Sequence, residues 1–184
     1  AVSLDKKGEQ YLRIYDIKDS TFKIPFTDKI VGYYNYSKKI KNLIISSVLE
    51  NNELVLYTSN LKTKEHTYID NSTGRSIHNI PINKFGEEKI SYISKKDSIW
   101  DINYVDLSSY KTKTITTTLN NNEDICWFKD GSILTSYKNK LYIFNTKISK
   151  DWILLCSLEE YGITNISRIA INTDNDKLAL VNSK

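Results

Sequence analysis

The feature that most restricts the fold of this sequence is a motif that returns four times. An apolar run ends in Asp or Asn, a short turn follows, and a second strand-like run begins. Tyr11-Leu12-Arg13-Ile14-Tyr15-Asp16 is the first instance, and Leu54-Val55-Leu56-Tyr57-Thr58-Ser59-Asn60 the second. Ile102-Asn103-Tyr104-Val105-Asp106 and Leu141-Tyr142-Ile143-Phe144-Asn145 complete the set. Asp16, Asn60, Asp106 and Asn145 are separated by 44, 46 and 39 positions. That spacing matches repeat units of about 40–50 residues, the length of a propeller blade. Asp and Asn suit the place because their side chains bond backbone N–H groups two residues on and tolerate left-handed backbone angles.

Each anchor is followed by a further strand-like run, at 21–26, 66–69, 113–117 and 152–155. Pro25 lies in the first of these and cannot donate to a ladder, which fits an outermost strand. Two more runs precede each later anchor: 31–36 and 43–48, then 76–80 and 89–94, then 124–128 and 132–137. Asp130-Gly131 between the last two is a strong hairpin signal. Only Leu158–Ile163 and Lys84–Glu88 allow even a single helical turn. The expectation is an all-β chain, a β-propeller of four-stranded antiparallel blades in one domain over 1–184. Its units are 30–70, 75–118 and 123–158, flanked by partial units at 1–26 and 165–182. A β-sandwich of similar strands is the alternative, and the fixed period favours the propeller.

Composition narrows the function classes. Hydrophobic residues at 40% and charged residues at 26% exclude a disordered chain. No window approaches the roughly 18 consecutive apolar residues of a membrane-spanning helix, so membrane insertion is not expected. The net charge is +4, but the lysines are scattered and matched by Asp and Glu. Nucleic-acid binders concentrate base on one face, so no nucleic acid is expected as a partner. The two cysteines, Cys126 and Cys156, form no zinc pattern. They fall on the inner and outer strands of one unit, some ~14 Å apart at about 4.8 Å per strand. Buried free thiols are therefore expected.

No Gly-x-Ser-x-Gly elbow, phosphate-cradling glycine loop or His/Cys/carboxylate cluster occurs. No catalytic residue, metal or cofactor is expected. Asp174-Asn175-Asp176 reads as a hairpin turn, since the other oxygen ligands calcium needs are missing. What a propeller does supply is a channel mouth lined by the starts of its innermost strands. Those starts carry Tyr33, Tyr34, Arg75, Ser76, His78, Glu123, Asp124, Asn165 and Arg168. Convergent polar groups in a concavity are the usual form of a binding site. Arg75, His78, Asp124 and Arg168 are the expected ligand-binding anchors, with the guanidinium forks suited to a carboxylate or other anion. Replacing both arginines with Gln is expected to remove binding and leave the melting temperature nearly unchanged.

The same residues carry a family resemblance. Glu123-Asp124-Ile125-Cys126-Trp127-Phe128-Lys129-Asp130-Gly131-Ser132-Ile133-Leu134 resembles the inner hairpin of TolB-like, WD40-like propeller repeat proteins of Bacteroidetes. Lys140-Leu141-Tyr142, Lys150-Asp151-Trp152, 161–170 and Lys177-Leu178-Ala179-Leu180-Val181 continue the match. Val31-Gly32-Tyr33-Tyr34 and 74–81 extend it upstream. The family's Ser-Pro-Asp-Gly-Lys hairpin is here Asn172-Thr173-Asp174-Asn175-Asp176-Lys177, without Pro or Gly, which weakens that turn signal. The resemblance implies a partial six-bladed propeller, the C-terminal portion of a longer exported protein in the periplasm or outside the cell. The chain begins at Ala1 without Met or a signal-like segment, which agrees with a removed leader or a fragment. It implies no defined activity. A non-enzymatic binding or scaffold module with a protein or glycan partner is the expected function. A propeller-type enzyme, or an enzyme's accessory domain, with a polar site at the channel mouth is the alternative. The two terminal half-units are not expected to share a sheet.

Overall fold

The computed structural model describes residues 2–4, 10–27, 29–81 and 87–183. The chain begins with β1 (Val2–Leu4), β2 (Gln10–Leu12), β3 (Ile14–Asp16) and β4 (Thr21–Lys23). β1 pairs with β2 and β3 with β4, with Arg13 separating the two short sheets. Three four-stranded sheets follow. The first is β5 (Ile30–Tyr36), β6 (Leu43–Glu50), β7 (Glu53–Asn60) and β8 (His66–Asp70). The second is β9 (Thr73–Asn79), β10 (Lys89–Ser94), β11 (Asp101–Asp106) and β12 (Thr112–Thr117). The third is β13 (Ile125–Trp127), β14 (Ser132–Tyr137), β15 (Lys140–Asn145) and β16 (Ile153–Ser157). A final pair, β17 (Ile166–Ile171) and β18 (Leu178–Asn182), ends the chain. Within each sheet the strands run antiparallel in sequence order, so the molecule is a partial propeller of four-stranded blades.

The first half-unit differs from expectation at both ends. Val2–Leu4 adds a strand that the sequence did not announce, because three residues are too few to show a period. The outer run 21–26 stops at Lys23, since Pro25 has no N–H to pair. Among the described residues β17 pairs only with β18, and the terminal half-units share no sheet. The turn at Leu158–Ile163 contains a 3-10 segment at Glu159–Tyr161, and a second such segment, Leu119–Asn121, was not anticipated. Residues 84–86 of the other candidate turn lie outside the described residues.

All four anchors make the expected turn. Asp16 Oδ1 accepts from the Lys18 amide at 3.0 Å and Asn60 Oδ1 from that of Lys62 at 2.9 Å. Asp106 Oδ1 accepts from Ser108 N at 2.9 Å and Asn145 Oδ1 from Lys147 N at 3.0 Å. Each anchor closes the third strand of its unit and returns the chain as the fourth. Other turns use left-handed asparagines. Asn51 and Asn52, both at positive φ, make the two-residue link between β6 and β7. The Asn172 hairpin lacks Pro and Gly, yet Asn172 Oδ1 accepts from the amides of Asp176 and Lys177 and closes it from within.

Stacking follows from strand alternation, because successive side chains point to opposite faces. On β6, Ile44 and Val48 join Leu12, Phe26 and Val31 in one cluster, whereas Leu43 and Ile45 join Leu56, Ile77 and Tyr92 in the next. On the third blade Ile125, Trp127 and Ile133 pack back against Ile93 and Ile102. Cys126 and Leu134 pack forward against Ile166 and Ile169. Every complete blade is thus apolar on both faces, and each core is shared between neighbours. Polar pins cross the same seams: Trp127 Nε1 donates to Ser91 Oγ at 2.8 Å and Asn35 Nδ2 to the Ile77 carbonyl at 3.1 Å.

Both thiols are free. Cys126 is buried, and burial pushes its pKa up to about 12. Cys156 departs from expectation in being only half-buried, since β16 is an outermost strand and Ile153, Leu154 and Leu155 beside it are more than half exposed.

The turn anchors differ in how much depends on them. Asp106 is 8% exposed and also accepts from the Ser108 and Ser109 hydroxyls and the Ser109 amide. The Ser108 hydroxyl leads in holding its carboxyl below the ordinary value. Asp106→Ala is expected to lower unfolding free energy by about 1–3 kcal/mol, and Asp16→Ala, at an exposed turn, by less than about 1 kcal/mol. Urea unfolding of both variants checks the order, and equal losses would contradict it.

Candidate functional site

Four innermost strands supply one concavity. β5 contributes Tyr33 and Tyr34, β9 Arg75, Ser76 and His78, the residue entering β13 Asp124, and β17 Arg168, around a volume of about 310 Å3. Arg75, His78, Asp124 and Arg168 therefore do come together. Asn165 does not: its side chain donates to Ser183 Oγ at 2.8 Å, away from the channel.

Local sequence explains the convergence. Gly74 lets β9 lie close to its neighbours, because a Cβ there would sit 2.8 Å from the Ile93 Cβ and 2.9 Å from Glu123 Oε2. Ser76 Oγ donates to the Glu123 carbonyl and accepts from the Ile125 amide, stitching β9 to the start of β13. Asn122 Oδ1 accepts from the Asp124 amide at 2.9 Å, and Thr135 Oγ1 donates to the Asp124 carbonyl at 2.8 Å. Both main-chain polar groups of Asp124 are thereby held, and its side chain is 9% exposed.

Both arginines converge on one oxygen of that carboxylate. Arg75 Nη2 donates to Asp124 Oδ2, and Arg168 Nη1 reaches the same atom at 3.2 Å. The Ser167 carbonyl accepts from Arg168 Nη1 at 2.8 Å and from Arg75 Nη2 at 3.3 Å. Glu123 Oε1 lies 3.4 Å from Arg75 Nη1, and its Oε2 lies 3.1 Å from Lys95 Nζ. Lys95 escaped the sequence reading because it leaves a loop after β10, where no local pattern points to the channel. Glu123 was legible at the mouth, but its ion pairs were not.

Three cations thus face two carboxylates, leaving an excess of one positive charge at the rim. The two arginines are not equivalent. Arg75 is mostly covered, whereas the Arg168 side chain is 48% exposed. The idea that both could be replaced without loss of stability does not fit this geometry. Stripping both partners from a buried carboxylate costs about 3–5 kcal/mol. Arg168 alone is the replaceable one.

His78 completes the wall. Its Nε2 is buried with no hydrogen-bond partner among the described residues. Burial is the leading cause that holds its pKa below 6.5, against a backbone hydrogen bond at Ile125 and the Asp124 charge, which raise it. The imidazole is therefore neutral at neutral pH.

No protein-family model matches the chain, and no curated protein matches its sequence. Solved structures do. TolB from Acinetobacter baumannii is similar at a TM-score of 0.62 and 16% identity, over 94% of this chain and 43% of that one. A prolyl endopeptidase is similar at 0.56 and 12% identity, over 93% of this chain and 28% of its own. A luciferin-regenerating enzyme is similar at 0.56 and 10% identity, over 98% and 67%. The chain spans less than half the length of TolB. At these identities the likeness shows the fold, a TolB-like propeller, and nothing of the activity. Among the described residues no helix is long and apolar enough to cross a membrane.

A pH dependence follows from His78. The unfolded chain accepts a proton near the ordinary value of 6.5 that the native state refuses. Stability tied to neutral His78 is therefore complete above that value and is lost as pH falls through it toward the lower native value. The melting temperature is expected to drop between about pH 7 and about pH 5, and His78→Gln to flatten that drop. An unchanged slope in the variant would remove His78 from the account.

Proposed function

We propose that this chain is a non-enzymatic binding or scaffold module of an exported protein. It takes a carboxylate-bearing group of a protein or glycan partner at the channel mouth. One observation carries the reading: two guanidinium groups share a single oxygen of Asp124 and leave the outer edge of exposed Arg168 open at a rim of net positive charge. A planar fork in that position suits a second carboxylate. The exported location and the kinship with WD40-like repeat proteins of Bacteroidetes rest on the sequence motifs at 74–81, 123–134 and 161–170.

A propeller-type enzyme, or an accessory domain of one, is the second reading. The unpartnered Nε2 of neutral His78 in the wall of the same concavity favours it, since a base must be neutral to accept a proton. Against it, the Asp124 carboxylate in the same wall is committed to both arginines.

Calorimetric titration separates the outcomes. The probes are an oligogalacturonate and a short peptide with a free α-carboxylate, each beside a neutral methyl ester. The acids are expected to bind and the esters not, and Arg168→Gln to weaken binding about tenfold, or about 1.4 kcal/mol, without moving the melting temperature. Undiminished affinity in Arg168→Gln, or no binding of either acid, would place the functional surface elsewhere.

A further inference from the structure

A second cleft lies away from the channel, and its origin is a proline. Pro25 ends the pairing of β4, so the chain leaves as a crossover toward β5. Phe26, 4% exposed, anchors that crossover in the core with Leu12, Val31, Ile44 and Val48. Between the crossover and the outer strands β7 and β8 a cleft of about 830 Å3 remains, within the usual range of about 300–1,000 Å3 for ligand sites.

Its floor is largely aromatic and held in place. The His66 ring stacks on Phe26 at 4.8 Å and 26°, and Ser59 Oγ fixes it at 2.8 Å from Nδ1. Tyr57 and Leu61 extend the floor. Its rim is basic. Lys23 stands at the end of β4, and Lys62 and Lys64 stand on the turn that Asn60 closes through the amides of Lys62 and Thr63. Among the described residues none of these three ammonium groups has a carboxylate partner. No described lining residue is acidic. Lys29, which also lines the cleft, is bound to Glu50 and lies over the Tyr57 ring.

We infer that this cleft docks an extended acidic and hydrophobic segment of a partner protein. The partner's carboxylates sit on Lys23, Lys62 and Lys64, and an apolar side chain lies on the Phe26–His66 floor. The chemistry favours a peptide over a sugar. Hydroxyl pairs need directional amides or carboxylates, and here the Asn60 oxygen and the Ser59 hydroxyl are spent on the fold. Lysines are compact point charges that accept mobile carboxylates from many angles.

Fluorescence anisotropy tests it with a labelled, N-acetylated and C-amidated peptide of alternating Glu and Leu. Saturable binding is expected, weakened at least tenfold by Lys23→Glu with Lys62→Glu, both exposed positions whose change leaves the melting temperature in place. Gln in place of Glu, or Ser in place of Leu, is expected to weaken binding as strongly. Arg168→Gln is expected to leave it unchanged, because the ends of this peptide are blocked and the channel rim is a separate surface. Equal binding by the charge-reversed protein overturns the inference. So does equal binding of the Ser peptide, or displacement by polyphosphate of matched charge at the same concentration, since either would mean general attraction for polyanions.

Discussion

The structure depends on one short-range interaction made four times, the side-chain oxygen of an Asp or Asn accepting an amide two residues on. It sits at the end of the third strand of each unit and commits the chain to return as a fourth, outermost strand. The following residues must then cross back to the centre to start the next blade. A sheet made this way is apolar on both faces and can bury them only against equivalent sheets. The radial stack is the consequence, and the shared clusters on opposite faces of β6 and β14 are its record.

The same geometry makes the two candidate surfaces. Returning to the centre brings the starts of β5, β9, β13 and β17 to one wall, so charges far apart in sequence meet there. Asp124 meets Arg75 across 49 positions and Arg168 across 44. Arg75 neutralises a buried carboxylate and holds the wall together, while Arg168 is half exposed and keeps donors to spare. The crossing segment itself forms the second surface. Where Pro25 stops the outer strand, the crossover stands away from β7 and β8 and leaves a basic cleft behind it.

Much of this was legible in the sequence because it is local. A turn anchor, an Asp-Gly hairpin and a period-2 alternation each lie within a few residues, and together they yielded the four-strand grouping. The meeting of Arg75, His78, Asp124 and Arg168 was legible through the repeat, since equivalent positions of successive units converge. What the sequence hid depends on register and on surface geometry. Lys95 reaches Glu123 from a loop of another strand, and Lys23 joins Lys62 and Lys64 across two units, so the lysines look scattered when read along the chain. Val2–Leu4 was too short to show a pattern, and the exposure of Cys156 follows from how little covers β16.

Native-state amide hydrogen exchange tests the blade organisation most directly. In four-stranded blades the second strand is paired on both sides and covered on both faces. β6, β10 and β14 are therefore predicted to exchange slowest, and β8, β12 and β16, with one open edge each, markedly faster, in a pattern repeated three times along the chain. Protection of β8, β12 and β16 as strong as that of β6, β10 and β14 would contradict the account, because outer strands so protected would be buried against another sheet as in a sandwich.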